Sequence, residues 1–116
     1  MNNTDSITVR EKTTAGIPFT LYSEDVPLNV SSSQYISWNM IDGKGKVYRY
    51  STLLSGSILV VNSGTLGYVT LTPPNEDVFK YDRSPYRGYC WVYITSAQKY
   101  SVPRDSYVTI NVLREY

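Results

Sequence analysis

The sequence contains no histidine and only one cysteine among its 116 residues. Without histidine the chain lacks the commonest general base and the commonest metal ligand. A single cysteine excludes an intramolecular disulfide and every zinc site built from cysteine and histidine. Paired carboxylates fall in turn-like segments, where solvated loops are the ordinary interpretation: Glu24 and Asp25, Glu76 and Asp77, Asp82 and Asp105. The sequence therefore predicts no enzyme, no catalytic residue, and no metal or cofactor site.

Strong charge and long apolar runs are also missing. Lysine and arginine total 11 against 10 acidic residues, a net charge of +1, so bulk electrostatics predicts no nucleic-acid partner. No apolar run approaches the roughly 18 residues that a membrane helix needs. Residues 1–5 are polar and carry no signal-peptide pattern. We therefore expect no membrane partner, and a product that stays in the cytoplasm or is assembled there.

Tyrosine is abundant, with 12 residues against 2 Phe and 2 Trp. Tyrosine favours strands, and its hydroxyl often reaches a partner surface. Residues 46–50 and 80–89 interleave tyrosine with basic residues, a pattern that single-strand nucleic-acid platforms also use. With a net charge of only +1, this pattern is better explained by tyrosine and arginine covering an exposed sheet face and its rim.

Apolar and polar residues alternate with period two along most of the chain, which predicts β-strands. In residues 35–41 the side chains of Ile36, Trp38 and Met40 share one face, and Trp38 is expected in the core. Residues 42–45 contain two glycines and predict a tight antiparallel turn. Turn residues recur about every 8 to 12 residues, a spacing typical of β-sandwiches.

A central strand is predicted over residues 89–95, because both of its faces are bulky. Cys90, Val92 and Ile94 are expected to face the core. The lone Cys90 is then a buried, inert thiol, as free cysteines in strands usually are.

Residues 72–81 form the one helix-like interval, with prolines early and acids in the first turn. A turn or two of helix here would cross between sheets and cover one end of the core with Phe79. The fold class predicted is all-β: an immunoglobulin-like two-sheet antiparallel sandwich with one short helical crossover. Residues 1–116 are expected to form a single domain, with 1–12 as an N-terminal arm or edge strand.

Four parts of the sequence share their order of apolar, turn and strand residues with one known family. They are residues 26–31 (Val-Pro-Leu-Asn-Val-Ser), residues 36–47 with their Asp-Gly turn and returning strand, the Gly-led residues 67–72, and the closing pair 86–93 and 102–112. Together they resemble the small immunoglobulin-like domain at the N-terminus of phage baseplate upper proteins and in other tail and virion proteins. Cys90 departs from the pattern, because the family often has an aromatic residue there.

This resemblance implies a non-enzymatic structural protein of a tailed phage virion. It would act as an adaptor or attachment domain in the tail, baseplate or fibre region, here in a free-standing version. Its partners would be other virion structural proteins, in multiple symmetric copies, after assembly in the host cytoplasm.

Exposed tyrosine and arginine are the expected contact residues, since both are enriched at interface centres. The candidates are Tyr48, Arg49, Tyr50, Tyr81, Arg83, Tyr86 and Arg87. Residues 1–10 are a further candidate, because an extended arm can add to a neighbour's sheet edge.

Two alternatives stay open. One is a decoration protein on the phage capsid, which the same fold would serve. The other is a carbohydrate-binding module that stacks host glycans on exposed tyrosines and Trp91, and its signature would be a cluster of exposed aromatic residues on one sheet face.

Overall fold

In a computed structural model, the chain folds as an all-β protein with two larger sheets. The structure describes residues 6–23, 26–53, 58–95, 97–103 and 106–115. The strands in these residues are β1 (Ser6–Arg10), β2 (Ile17–Thr20), β3 (Tyr22–Ser23), β4 (Val26–Pro27), β5 (Tyr35–Ile41), β6 (Val47–Ser51), β7 (Leu59–Ser63), β8 (Tyr68–Leu71), β9 (Tyr86–Tyr93), β10 (Lys99–Val102) and β11 (Val108–Leu113). Within the same residues, no helix has the length and apolar character to cross a membrane.

The larger sheet has six strands, in the order β1-β11-β9-β5-β6, and β10 pairs with the second half of β9. A three-stranded sheet has the order β2-β8-β7, and β3 pairs with β4 in a short ribbon. Among these pairings β1 with β11 is parallel and the others are antiparallel. The predicted central position of β9 is confirmed, because β5 lies on one side of it and β10 and β11 lie on the other.

Alternate residues of the two larger sheets form one hydrophobic core. Phe19 of β2 and Trp38 of β5 contact each other across it, with ring centroids 5.3 Å apart. The same cluster includes Ile17, Ile36, Met40, Leu59, Val69, Leu71, Cys90, Val92, Ile110 and Val112. The fold is therefore β-sandwich-like, as the period-two alternation predicts.

Gly88 of β9 lies directly against the indole ring of Trp38. A Cβ atom at this position would overlap three atoms of that ring. The ring cannot move aside, because Trp38 is only 1% exposed and close-packed in the core. Glycine is therefore required at position 88, because the Trp38 ring of β5 lies too close to the backbone of β9 to admit a Cβ atom.

The predicted facing of residues 35–41 is confirmed, since Ile36, Trp38 and Met40 are all buried. In residues 89–95, Cys90 and Val92 are buried as expected, but the inward position predicted for Ile94 is wrong. Ile94 is 46% exposed, because β9 ends at Tyr93 and Ile94 lies in the turn towards β10.

The helix predicted over residues 72–81 is wrong. In its place the described chain has irregular turns and then a 3-10 turn at Tyr81–Arg83. The Asn75 side chain accepts a nearby backbone N–H at 2.8 Å, and the N–H of Lys12 donates to the carbonyl of Phe79 at 3.0 Å. These bonds replace the regular helical ones. Phe79 is nevertheless buried in the core, as expected.

β1 lies at one edge of the six-stranded sheet, where it pairs with β11 of its own chain. Residues 6–10 of the predicted arm are thus used within the sheet, and residues 1–5 lie outside the described residues. After β1, the carboxylate of Glu11 accepts the N–H groups of Tyr81 at 3.3 Å and Glu115 at 2.8 Å. The end of β1 is therefore tied to the 3-10 turn and to the segment after β11.

Candidate interaction surface

The seven predicted contact residues do not form one surface. Tyr86 is 0% exposed, and its hydroxyl donates to the carbonyl of Val78 at 2.7 Å and accepts from the N–H of Lys80 at 2.9 Å. Its ring packs edge-on against Phe79, with centroids 5.1 Å apart. Tyr48 is also buried. The predicted surface position is therefore wrong for these two tyrosines, whose burial and hydrogen bonds hold the fold together.

Arg83 belongs to a cluster around the buried Asp42. Its guanidinium donates to Oδ2 of Asp42 at 3.0 Å, and the Tyr48 hydroxyl donates to the same oxygen at 2.9 Å. The backbone N–H groups of Lys44 and Lys46 donate to Oδ1. Burial by itself raises the pKa of the Asp42 carboxyl, but the four hydrogen bonds outweigh burial and hold that pKa below its ordinary value. Burial, and then the bond to Asp42, raise the pKa of Tyr48.

Tyr50 and Tyr81 lie on different parts of the fold. Tyr50 is half-buried and packs against the core from β6. Tyr81 is exposed on the 3-10 turn, with the Arg114 guanidinium 5.0 Å from its ring centroid. The remaining two candidates, Arg49 and Arg87, are exposed on the outer face of the six-stranded sheet, whereas Tyr50, the next residue after Arg49 in β6, lies on the core side.

Aromatic side chains cover part of that same outer face. Tyr35 and Tyr93 stack with ring centroids 4.1 Å apart, and Tyr89 contacts Trp91 at 5.5 Å and Tyr107 at 6.4 Å. We call Tyr35, Tyr89, Trp91, Tyr93 and Tyr107 the aromatic face.

Lys99 of β10 adds a positive charge to the aromatic face. Its Nζ lies 4.3 Å from the ring centroid of Trp91 and 5.4 Å from that of Tyr93. Contacts of this kind are favourable because the ring face carries negative charge density. They also restrict the Trp91 and Tyr93 rings.

A groove continues the aromatic face towards β6. Its volume is about 220 Å³, and Tyr89 and Tyr107 form the border that it shares with the aromatic face. Its other lining residues are Asn39, Met40, Ile41, Val47, Arg49 and Arg87. The groove therefore brings together the two predicted arginines that remain exposed.

Sequence patterns alone do not bring Tyr35, Lys99 and Tyr107 to this face. The register of β5 and β10 on β9 sets both Tyr35 and Lys99 opposite Tyr93. Strand order and register determine which side chains are neighbours on this face. The alternation of residues within a single strand predicts neither the strand order nor the register. The facing of Tyr89 opposite to Cys90 is, by contrast, a direct result of the period-two pattern.

Two other features of the described residues, a second depression and Cys90, have fewer groups that could bind or react. A second depression of about 490 Å³ lies on the three-stranded sheet, and its lining (Pro18, Phe19, Thr20, Asn62, Tyr68, Val69 and Thr70) contains no charged group. Cys90 is completely buried, as predicted, and burial raises the pKa of its thiol. The thiolate needed for nucleophilic chemistry is thus disfavoured.

Comparison with known proteins adds no relative: no family model and no curated protein matches the chain.

Proposed function

We propose that this protein is a non-enzymatic structural component of a tailed phage virion, an adaptor or attachment domain that acts through protein–protein contacts in the tail, baseplate or fibre region. The observation that carries the contact function is the aromatic face, which places five aromatic side chains and Lys99 on one outer sheet surface. The virion assignment rests on the sequence resemblance. Its partners are other virion proteins, met in multiple symmetric copies.

The hydrogen bond of Tyr86, at the start of β9, supports an immunoglobulin-like topology for this domain. In such domains a tyrosine near the start of a central strand bonds the backbone a few residues upstream, as Tyr86 does to Val78. In antibody domains a disulfide cysteine follows two residues after that tyrosine. Here that residue is Gly88, and the indole of Trp38 fills the space against it. A packed ring takes the place that the bridge has in antibodies.

The composition of the outer face suits protein contact. Tyrosine, tryptophan and arginine are the residues that most often dominate binding energy at interfaces. Tyr107 is 54% exposed, and its ring is available to a partner. Ring-to-ring and lysine-to-ring contacts hold much of the aromatic face in place, so little side-chain entropy is lost on binding.

Immunogold labelling of particles tests the virion assignment. Antibody against the purified chain is applied to phage particles from the host that carries its gene. We expect label at the tail or baseplate. Label on the head would favour the capsid decoration alternative, and particles without label, with all of the chain left free in the lysate, would contradict both.

Carbohydrate binding is the second candidate, because the aromatic face clusters partly exposed rings of the kind that stack on sugars. Trp91, half-buried beneath Lys99, would be the main stacking surface. A glycan array probed with the wild-type chain and with Trp91→Ala tests it. Hits that disappear in the variant would support sugar binding, and an array without hits would leave protein contact as the function of this face.

A further inference from the structure

The two exposed arginines of the groove occupy strands on either side of β5. Asn39 of β5 pairs with Arg49 of β6, and Ile41 of β5 pairs with Arg87 of β9. From strand spacing and residue rise, the two arginine Cα atoms are about 12 Å apart. Both guanidinium groups can therefore approach a ligand that lies over Asn39 and Ile41.

Neither arginine has an acidic partner in the described part of the chain. The ion pairs found there use other cations: Lys12, Lys44, Lys80 and Arg83. The described residues that line the groove include no aspartate or glutamate. Among the described residues, two positive charges thus face a concave surface without an acidic neighbour in its lining, and this favours an anionic ligand.

The remaining lining fits a carboxylate on a peptide. A guanidinium group binds a carboxylate through two parallel hydrogen bonds. The hydroxyls of Tyr89 and Tyr107 add polar atoms, and Ile41 and Val47, both exposed, offer apolar contact to a neighbouring side chain. At about 220 Å³ the groove is smaller than the roughly 300 to 1,000 Å³ typical of small-molecule pockets. It matches one or two side chains better than a whole metabolite.

We propose that this groove binds an acidic, extended segment of the partner protein, with Arg49 and Arg87 each holding one carboxylate. Acidic residues at positions i and i+2 of an extended segment point the same way, about 7 Å apart, and so can reach both arginines. This inference rests on the proposed protein-contact function and names the chemistry of its partner.

A peptide titration followed by NMR amide shifts of the purified protein tests the proposal. The probe is acetyl-Ser-Glu-Val-Glu-Ser-amide, and the matched control peptide replaces both glutamates with glutamine. We expect the glutamate peptide to shift amides of β5, β6 and β9 around the groove, and to bind at least about tenfold more tightly than the glutamine peptide. Added salt should weaken this binding.

Variants locate the binding. Arg49→Gln and Arg87→Gln should each weaken it about tenfold, whereas Arg10→Gln on β1, at the opposite edge of the same sheet, should leave it unchanged. Both groove arginines are exposed, so retained amide spectra will show that the variants fold.

Equal binding of the two peptides, or no binding by either at millimolar concentration, would overturn the proposal. So would inorganic phosphate or glucuronate shifting the same amides as strongly at equal concentration, because the site would then bind small anions. If the peptide fails while substitutions in the aromatic face still abolish incorporation into particles, only the groove proposal is lost. If both fail, the contact function falls as well.

Discussion

Asp42 joins the β5–β6 turn to the 3-10 turn through its hydrogen bond with Arg83. Its side chain is fully buried and accepts bonds from Tyr48, from Arg83 and from two backbone N–H groups. A buried carboxylate is tolerated only when its oxygens are satisfied in this way. The residues around it, two of them predicted as contact residues, therefore stabilise the fold.

The substitution Asp42→Asn tests whether the buried carboxylate stabilises the fold. Because the folded pKa of Asp42 lies below its unfolded value, its stabilising effect is complete above about pH 5 and is lost as pH falls through about 4 and below. We expect urea unfolding at pH 7 to show a loss of about 1 to 3 kcal/mol in the variant. The difference in unfolding free energy between variant and wild type should become smaller as the pH falls below 4.

The exposed Asp82 provides the control. It pairs with Lys44 at the surface, with 65% of its side chain accessible, so Asp82→Asn should change stability little. Two results would contradict the stabilising role of the buried carboxylate. One is an equal loss of unfolding free energy in Asp82→Asn and Asp42→Asn. The other is a difference in unfolding free energy between Asp42→Asn and wild type that stays constant down to pH 2.5.

The strands show what the period-two alternation of apolar and polar residues can and cannot predict. Extending the period-two pattern of β9 back from Cys90 through Gly88 reaches Tyr86, so the burial of Tyr86 follows from the sequence if the strand is begun early enough. The parallel pairing of β1 with β11 does not follow, because nothing local specifies a partner so distant in sequence. The supposed helix over 72–81 fails because tertiary hydrogen bonds override a weak helix pattern.

The contact between β5 and β9 gives a prediction at this scale. Gly88→Ala places a methyl group into the indole of Trp38, and we expect a loss of about 1 to 3 kcal/mol in unfolding free energy. Trp38→Phe in the same chain removes ring atoms that meet this methyl group. The double variant should therefore lose less than the sum of the two single variants. Strict additivity in urea unfolding would show that the two sites do not touch.

For the whole molecule, the two larger sheets expose unlike outer faces. The six-stranded sheet carries the aromatic face and the arginine groove, whereas the depression on the three-stranded sheet has one tyrosine, Tyr68, and no charged residue. Composition predicts that tyrosine and arginine are available for contact. Only the sheet order shows which of them share one surface, and Arg49 and Arg87 are the predicted candidates that do.

Two matched tyrosine substitutions test most directly whether the aromatic face is the surface that contacts the proposed virion partner. Tyr107→Ala removes a 54% exposed ring from the aromatic face, and Tyr68→Ala removes a 45% exposed ring from the other sheet. The quantity to measure is the amount of each variant incorporated into purified particles relative to wild type. We expect at least about a tenfold loss for Tyr107→Ala and wild-type incorporation for Tyr68→Ala. Equal incorporation of both, or a loss confined to Tyr68→Ala, would contradict this expectation.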